Sequence, residues 1–163
     1  MNDEYARIVD FDEFDRLRPS LGRIVCTSGG FDPIHPGHAS CLIESARHGD
    51  ALAVIVNGDS FLRRKKGKAF QNLDTRCRIV ACVRRVDFVV PYEVEGDNTV
   101  CGALARLRPH VFTKGGDRDA DDNTPESALC RELGIQLVYG VGAGKAWSSS
   151  DFLAEWGEFW KTR

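Results

Sequence analysis

Short runs of β-branched and apolar residues alternate along this chain with segments whose apolar positions recur every three or four residues. Arg23 to Thr27 reads as a first strand, and Ala51 to Val56 is a continuous apolar run of the kind buried on both faces of a parallel sheet. Val86 to Val90, His110 to Thr113 and Ile135 to Tyr139 supply three more strands. Between them, Gly37 to His48 carries Ala39, Leu42, Ile43 and Ala46 at helical spacing, with Gly49 as a stop. Asp74 is the expected N-cap of a helix running to about Arg84. Thr99 to Leu107, Pro125 to Gly134 (with Thr124 as its cap) and Ser149 to Lys161 complete the helices.

This alternation predicts an α/β, Rossmann-like fold: a five-stranded parallel sheet with right-handed crossovers and helices on both faces. No repeat, low-complexity tract or linker breaks the pattern, so residues 1–163 are expected to form a single domain. Phe11, Phe14 and Leu17 share a helical face and predict a short helix within an N-terminal elaboration over residues 1–20. Open parallel sheets bind ligands outside the carboxyl ends of their strands, where the strand order reverses. The loops that follow the strands are therefore the places to look for chemistry.

Composition narrows the function by exclusion. A formal net charge of -2 rules against binding nucleic acid by bulk charge, so any phosphate must be held by local clusters. No apolar run reaches the roughly 18 residues of a membrane span. Met1-Asn2-Asp3-Glu4 lacks the basic and then apolar regions of a secretion signal. Cys26, Cys41, Cys77, Cys82, Cys101 and Cys130 include no pair at C-x2-C spacing, which argues against zinc and for a reducing, cytoplasmic setting.

The first post-strand loop is the most loaded. Gly29 and Gly30 permit close backbone approach to a ligand, and Pro36 is pre-set for the first turn of a helix. That places His35 near the cap and His38 within the first turn, beside free amides and the positive end of the helix dipole. Two imidazoles three residues apart share one side of that terminus and could donate to a phosphate gaining charge. Gly37, without a side chain, leaves room for a base or ribose. Asp32 reads either as a group at the acceptor or phosphate that orients a histidine or a water, or as a turn-forming residue.

The string GGFDPIHPGH at 29–38 resembles the G-x-F-D-x-x-H-x-G-H signature of the cytidylyltransferase-like nucleotidyltransferase superfamily. Class I aminoacyl-tRNA synthetases share H-x-G-H, but need a far larger body. The resemblance implies that Gly29, Gly30, Phe31 and Gly37 bind nucleotide. It also implies that His35 and His38 stabilise the pentacoordinate phosphorus during direct in-line attack by a phosphorylated acceptor, without a covalent intermediate. Mg²⁺ would accompany the nucleoside triphosphate.

Three further segments fit the same reading. Five cations in Arg63-Arg64-Lys65-Lys66-Gly67-Lys68 are expected to form a mobile lid over a triphosphate. In similar enzymes a lysine here grips phosphate, which makes Lys66 and Lys68 the candidates. Arg76, in an acidic-x-Arg pair with Asp74, matches an arginine that commonly holds acceptor or nucleotide phosphate. Lys114-Gly115-Gly116-Asp117-Arg118 offers Gly115 and Asp117 to the nucleotide and Arg118 to phosphate. Its K-G-G-D string resembles heptose-1-phosphate adenylyltransferase domains more than glycerol-3-phosphate cytidylyltransferases.

Ser148, Ser149 and Ser150 open the last helix as a second anion site and match the superfamily's Ser/Thr-rich phosphate motif. Leu153 stands where many adenylyltransferases carry an arginine. Arg84-Arg85-Val86-Asp87 resembles the R-x-V-D element of CTP-using members, so the donor stays open between ATP and CTP. Phe152, Trp156, Phe159 and Trp160 at helical spacing are expected to be core or a homodimer contact. The overall expectation is transfer of AMP or CMP to a sugar- or polyol-phosphate with release of pyrophosphate. The alternatives are a silent nucleotide-binding module and an adenylyltransferase acting on a coenzyme precursor.

Overall fold

The computed structural model describes residues 5–116, 123–144, 146 and 148–162. A parallel sheet of six strands runs through its centre: β1 (Arg7–Ile8), β2 (Ile24–Gly29), β3 (Ala51–Asn57), β4 (Phe88–Tyr92), β5 (Val111–Gly115) and β6 (Gln136–Val141). Their spatial order is β1-β4-β3-β2-β5-β6. The helices are α1 (Phe11–Leu17), α2 (Pro36–Ser45), α3 (Asp59–Lys66), α4 (Leu73–Ala81), α5 (Cys101–Leu107), α6 (Pro125–Leu133) and α7 (Ser149–Lys161).

The sheet has one strand more than the five expected. Two residues of the N-terminal elaboration, Arg7 and Ile8, pair with Phe88 and Val89 and extend the edge. Two residues are too short to show an alternating pattern, which is why periodicity passes over them. The expected α1 forms behind them, capped by Asp10, which accepts from the Glu13 amide.

Alternate residues of each strand feed two cores. Ile24, Cys26, Ala53, Ile55, Val90 and Phe112 pack on one face beneath α1, α5 and α6. Val25, Val54, Val56, Val89 and Val111 pack on the other beneath α2 and α4. Because β3 contributes to both, all seven of its residues are buried, as its unbroken apolar run requires. A buried hydroxyl set ties α2 to the sheet: Ser45 Oγ lies 2.7 Å from Thr113 Oγ1, and Thr27 Oγ1 donates to the Thr113 carbonyl at 3.1 Å.

Two local expectations need correcting. The basic run is not a mobile loop; it is the second half of α3, stopped by Gly67 in the left-handed region at φ 84°. Cations in a last turn complement the negative end of the helix dipole, which turns their mutual repulsion to use. The other end of α3 has no capping side chain of its own at Gly58. Glu93, from beyond β4, caps it instead by accepting from the amides of Asp59 and Ser60. Likewise Asn72, not Asp74, caps α4, accepting from Thr75 at 2.8 Å, while Asp74 pairs with Arg78 on the exposed surface.

Candidate active site

The chain leaves β2 for β3 on one side and later returns to β5 on the other, so the strand order reverses beside β2. A cavity of about 650 Å³ opens there, at the carboxyl edge. His35, Gly37 and His38 line it from α2, Asn57 from β3, Phe61 and Lys65 from α3, and Lys114, Gly115 and Gly116 from the end of β5.

His35 is the N-cap of α2, and its Nδ1 accepts from the His38 amide at 3.3 Å. In the neutral ring this leaves the proton on Nε2. The two imidazoles stack 3.7 Å apart with 17° between their planes, and Phe31 meets His38 edge-on at 5.1 Å. Burial, the His35 ring and Lys66 hold His38 down at about 4. Burial and Lys66 also push His35 below its ordinary value. Both rings are therefore uncharged at neutral pH.

This terminus does not present a row of bare amides. Pro36 has no N–H, His38 gives its own to His35 Nδ1, and Ala39 gives its own to the His35 carbonyl. That leaves the Gly37 amide and the two rings as the groups offered to an anion. A tetra-anionic triphosphate would favour protonation of both rings. In a titration followed by imidazole NMR, His38 is expected to protonate near pH 4, and its midpoint to rise when a non-hydrolysable NTP is added. The sign for stability follows. The unfolded chain binds more protons than the native one between about 4 and the ordinary 6.5, so this histidine's contribution falls as pH drops through that window. A His38 midpoint at 6.5 in the free protein would refute the assignment.

The glycines and the aspartate of the loop serve the fold as much as a ligand. A Cβ on Gly29 would stand 2.9 Å from the Phe31 ring, and one on Gly30 would stand 2.8 Å from Leu62. Both nonetheless line the cavity. Asp32 is buried and accepts from the Phe70 and Gln71 amides, each at 2.8 Å, so it staples a loop and is not positioned to touch an acceptor. Lys66 Nζ donates to the Asp32 carbonyl at 2.8 Å, close enough to the histidines to lower both. Burial lowers Lys66 itself, against the opposing pull of Asp32.

Arg76 is the clearest correction. It is completely buried, and its fork is spent on protein: the Gly30 carbonyl at 2.8 Å, the Asn57 carbonyl at 2.6 Å, the Gln71 carbonyl at 3.0 Å and Asp59 at 2.6 Å. It ties the ends of β2 and β3 to α3 and is not a phosphate grip. Lys68 also lies apart, in a shallow hollow with Asp59, Arg63 and Asn72. Lys65, which the sequence reading passed over within the run, faces the main cavity instead.

Lys114 was likewise missed, although it opens the K-G-G-D string. It is buried at the cavity wall and donates to Thr124 at 2.6 Å and Ser127 at 3.1 Å. Asp117 and Arg118 lie outside the described residues, as does Lys145. Gly115 abuts Cys41, whose sulfur would stand 2.6 Å from an added Cβ. Ser148 caps α7, accepting from Asp151 at 3.3 Å. Ser149 donates to the Pro33 carbonyl at 2.8 Å, and Ser150 is exposed. The start of α7 thus rests against the histidine loop, with Phe152 edge-on to His35 at 6.1 Å. The aromatics of α7 are not core: Trp156 and Trp160 are 57% and 58% exposed.

A family model described as cytidylyltransferase-like matches residues 26–140, from the first central strand to the last. The chain belongs to the cytidylyltransferase-like family. It is thus an enzyme of the nucleotidyltransferase type. The bifunctional protein HldE of Streptomyces coelicolor is 38% identical over 125 residues, which cover 76% of this chain and 26% of that protein. HldE of Methylococcus capsulatus is 43% identical over 103 residues, 62% of this chain and 21% of that one. The chain thus spans about a quarter of the length of these relatives.

Among solved structures, the lipopolysaccharide core biosynthesis protein of Thermoplasma volcanium superposes with a TM-score of 0.62 at 24% identity, covering 75% of this chain and 98% of that one. Pantoate-beta-alanine ligase of Francisella tularensis reaches 0.60 at 15% identity, covering 88% and 68%. These two establish the fold alone. No helix among the described residues is long and apolar enough to cross a membrane.

Proposed function

We propose that this protein transfers a nucleoside monophosphate from an NTP to a sugar- or polyol-phosphate and releases pyrophosphate. The observation that carries the reading is the stacked histidine pair at the mouth of α2, facing a cavity large enough for a nucleotide. An acceptor phosphate oxygen bonds to the α-phosphorus as the bond from that phosphorus to the bridging oxygen of the β-phosphate breaks. Charge grows on the equatorial oxygens and the leaving pyrophosphate, where two N–H donors and Lys65 and Lys66 can meet it.

The donor favoured is ATP. The K-G-G-D string supports it through its likeness to heptose-type adenylyltransferase domains. The R-x-V-D element, which spoke for CTP, precedes β4 and lies at the amino edge of the sheet. There Asp87 accepts from the Leu52 amide at 2.8 Å, and Arg84 and Arg85 are exposed. Within one chain it has no path to a base bound at the opposite edge.

Among the described residues no three metal-ligating side chains converge. Mg²⁺ would accompany the NTP and neutralise the triphosphate oxygens. Pyrophosphate release is the assay, run with ATP and CTP against aldose 1-phosphates, glycerol 3-phosphate and 4'-phosphopantetheine. Turnover is expected with ATP and a sugar phosphate, and it should vanish in excess chelator. Turnover with the pantetheine phosphate alone would reverse the acceptor assignment.

A further inference from the structure

We infer that two copies of this chain pair through the aromatic face of α7, with the helices antiparallel about a two-fold axis at Trp156. Phe152, Leu153, Trp156, Phe159 and Trp160 form one stripe, spanning about a third of the helix circumference at 3.6 residues per turn. Its rings are already gathered: Trp156 stacks on Phe159 at 5.3 Å and meets Trp160 edge-on at 6.0 Å. Yet no residue of α7 is buried, and both tryptophans stand more than half open.

A helix of 13 residues is marginal in water by itself, and an amphipathic one is stabilised chiefly by packing its apolar face. The first turn of α7 meets the histidine loop, where Ser149 donates to the Pro33 carbonyl and Phe152 lies edge-on to His35. Beyond it, residues 154–162 are exposed on every side.

Area and symmetry point to a second copy as the occupant. The four rings are 41–58% exposed, which leaves roughly 400 Å² of aromatic surface open on each copy. That matches the largest apolar patch of a typical monomer, about 300–600 Å², and such patches are often functional. Closed against the same face of a second copy, the stripe and its flanks would remove about 1,000 Å² from water, the least that a specific interface needs. A two-fold contact uses one patch twice, so that patch must complement itself. This stripe does. In an antiparallel pair centred on Trp156, Phe152 lies level with the partner's Trp160 and Leu153 with the partner's Phe159. Trp156 then faces the partner's Trp156. The same arrangement opposes the two helix dipoles and sets the two domains at opposite ends of the pair. Asp151, Glu155 and Glu158, against Lys161, make the flanks acidic, the wrong sign for an anionic membrane surface. Because the partner's Trp160 comes beside Phe152, the second copy reaches the rim of the candidate site.

The test is sedimentation velocity on the full chain from about 1 to 100 µM, the range in which so small an interface dissociates. The wild-type mass is expected to rise from that of one chain towards that of two. Trp156→Glu sets two carboxylates face to face on the axis and should raise the dissociation constant at least about thirtyfold. Should the glutamate unfold the helix by circular dichroism, Trp156→Ala and Trp160→Ala carry the same comparison. Register is read with Trp156→Cys: oxidised glutathione should link two such copies through a disulfide, and should not link the wild type with its six native cysteines. A mass of one chain at every concentration would overturn the pairing, as would self-association that the Trp156 and Trp160 variants leave unchanged. A single chain that instead bound phosphatidylcholine vesicles would assign the face to a membrane. Association without the Trp156→Cys link would overturn the axis.

Discussion

Replacing His38 with alanine is expected to lower kcat by about two to four decades, the range for one positioned group that meets charge in a transition state. The melting temperature should scarcely move, because the lost edge contact with Phe31 is offset by removing a buried Nδ1 that has no partner among the described residues. His35 needs a subtler variant, since its Nδ1 caps α2 and alanine would cost helix stability of about 1 kcal/mol along with chemistry. His35→Asn keeps a good capping acceptor and removes the distal N–H. It should lose turnover comparably while keeping its melting temperature. Full activity in either His38→Ala or His35→Asn would remove that ring from the reaction.

Arg76→Met is expected to be the most destabilising of these single substitutions, by about 3–5 kcal/mol, as when one partner of a buried ion pair is removed. The lost fork strands the carbonyls of Gly30, Asn57 and Gln71. For a domain of this size the melting temperature should fall by about 10 °C or more, read by circular dichroism. Arg76→Lys should rescue little, because one compact ammonium cannot reproduce a planar fork that binds four oxygens. A shift of only a degree or two in Arg76→Met would show that the strand ends hold themselves. Activity is not the discriminating readout here: a phosphate-gripping arginine would cost turnover without costing stability.

These two experiments separate residues that short motifs treat alike. His38 and Arg76 both sit in strings that resemble family signatures, yet one faces the cavity and the other is sealed beneath it. Sequence spacing locates a residue along the chain; it does not say which way the side chain turns after a loop closes. Asp32 shows the same thing. Its place in the signature invites a catalytic role, and its carboxylate is spent on two amides nearly forty residues downstream. In the cation run, helical phase decides the outcome: Lys65 faces the cavity, Lys66 reaches the Asp32 carbonyl, and Lys68, past Gly67, falls on another surface.

What the chain alone determined is whatever repeats locally. Strand-helix alternation specified the parallel sheet, since hydrophobic period encodes element type and alternating strands and helices pack as parallel layers. The proline and histidines around position 36 marked the helix mouth, because capping is a matter of a few consecutive residues. The folded molecule decided everything that depends on partners distant in sequence. Glu93 capping α3, Arg76 binding two strand-end carbonyls, and Arg7 and Ile8 finding β4 are all contacts between segments that no local pattern relates. Their energies come from burial and desolvation, and those exist only once the sheet has closed around them.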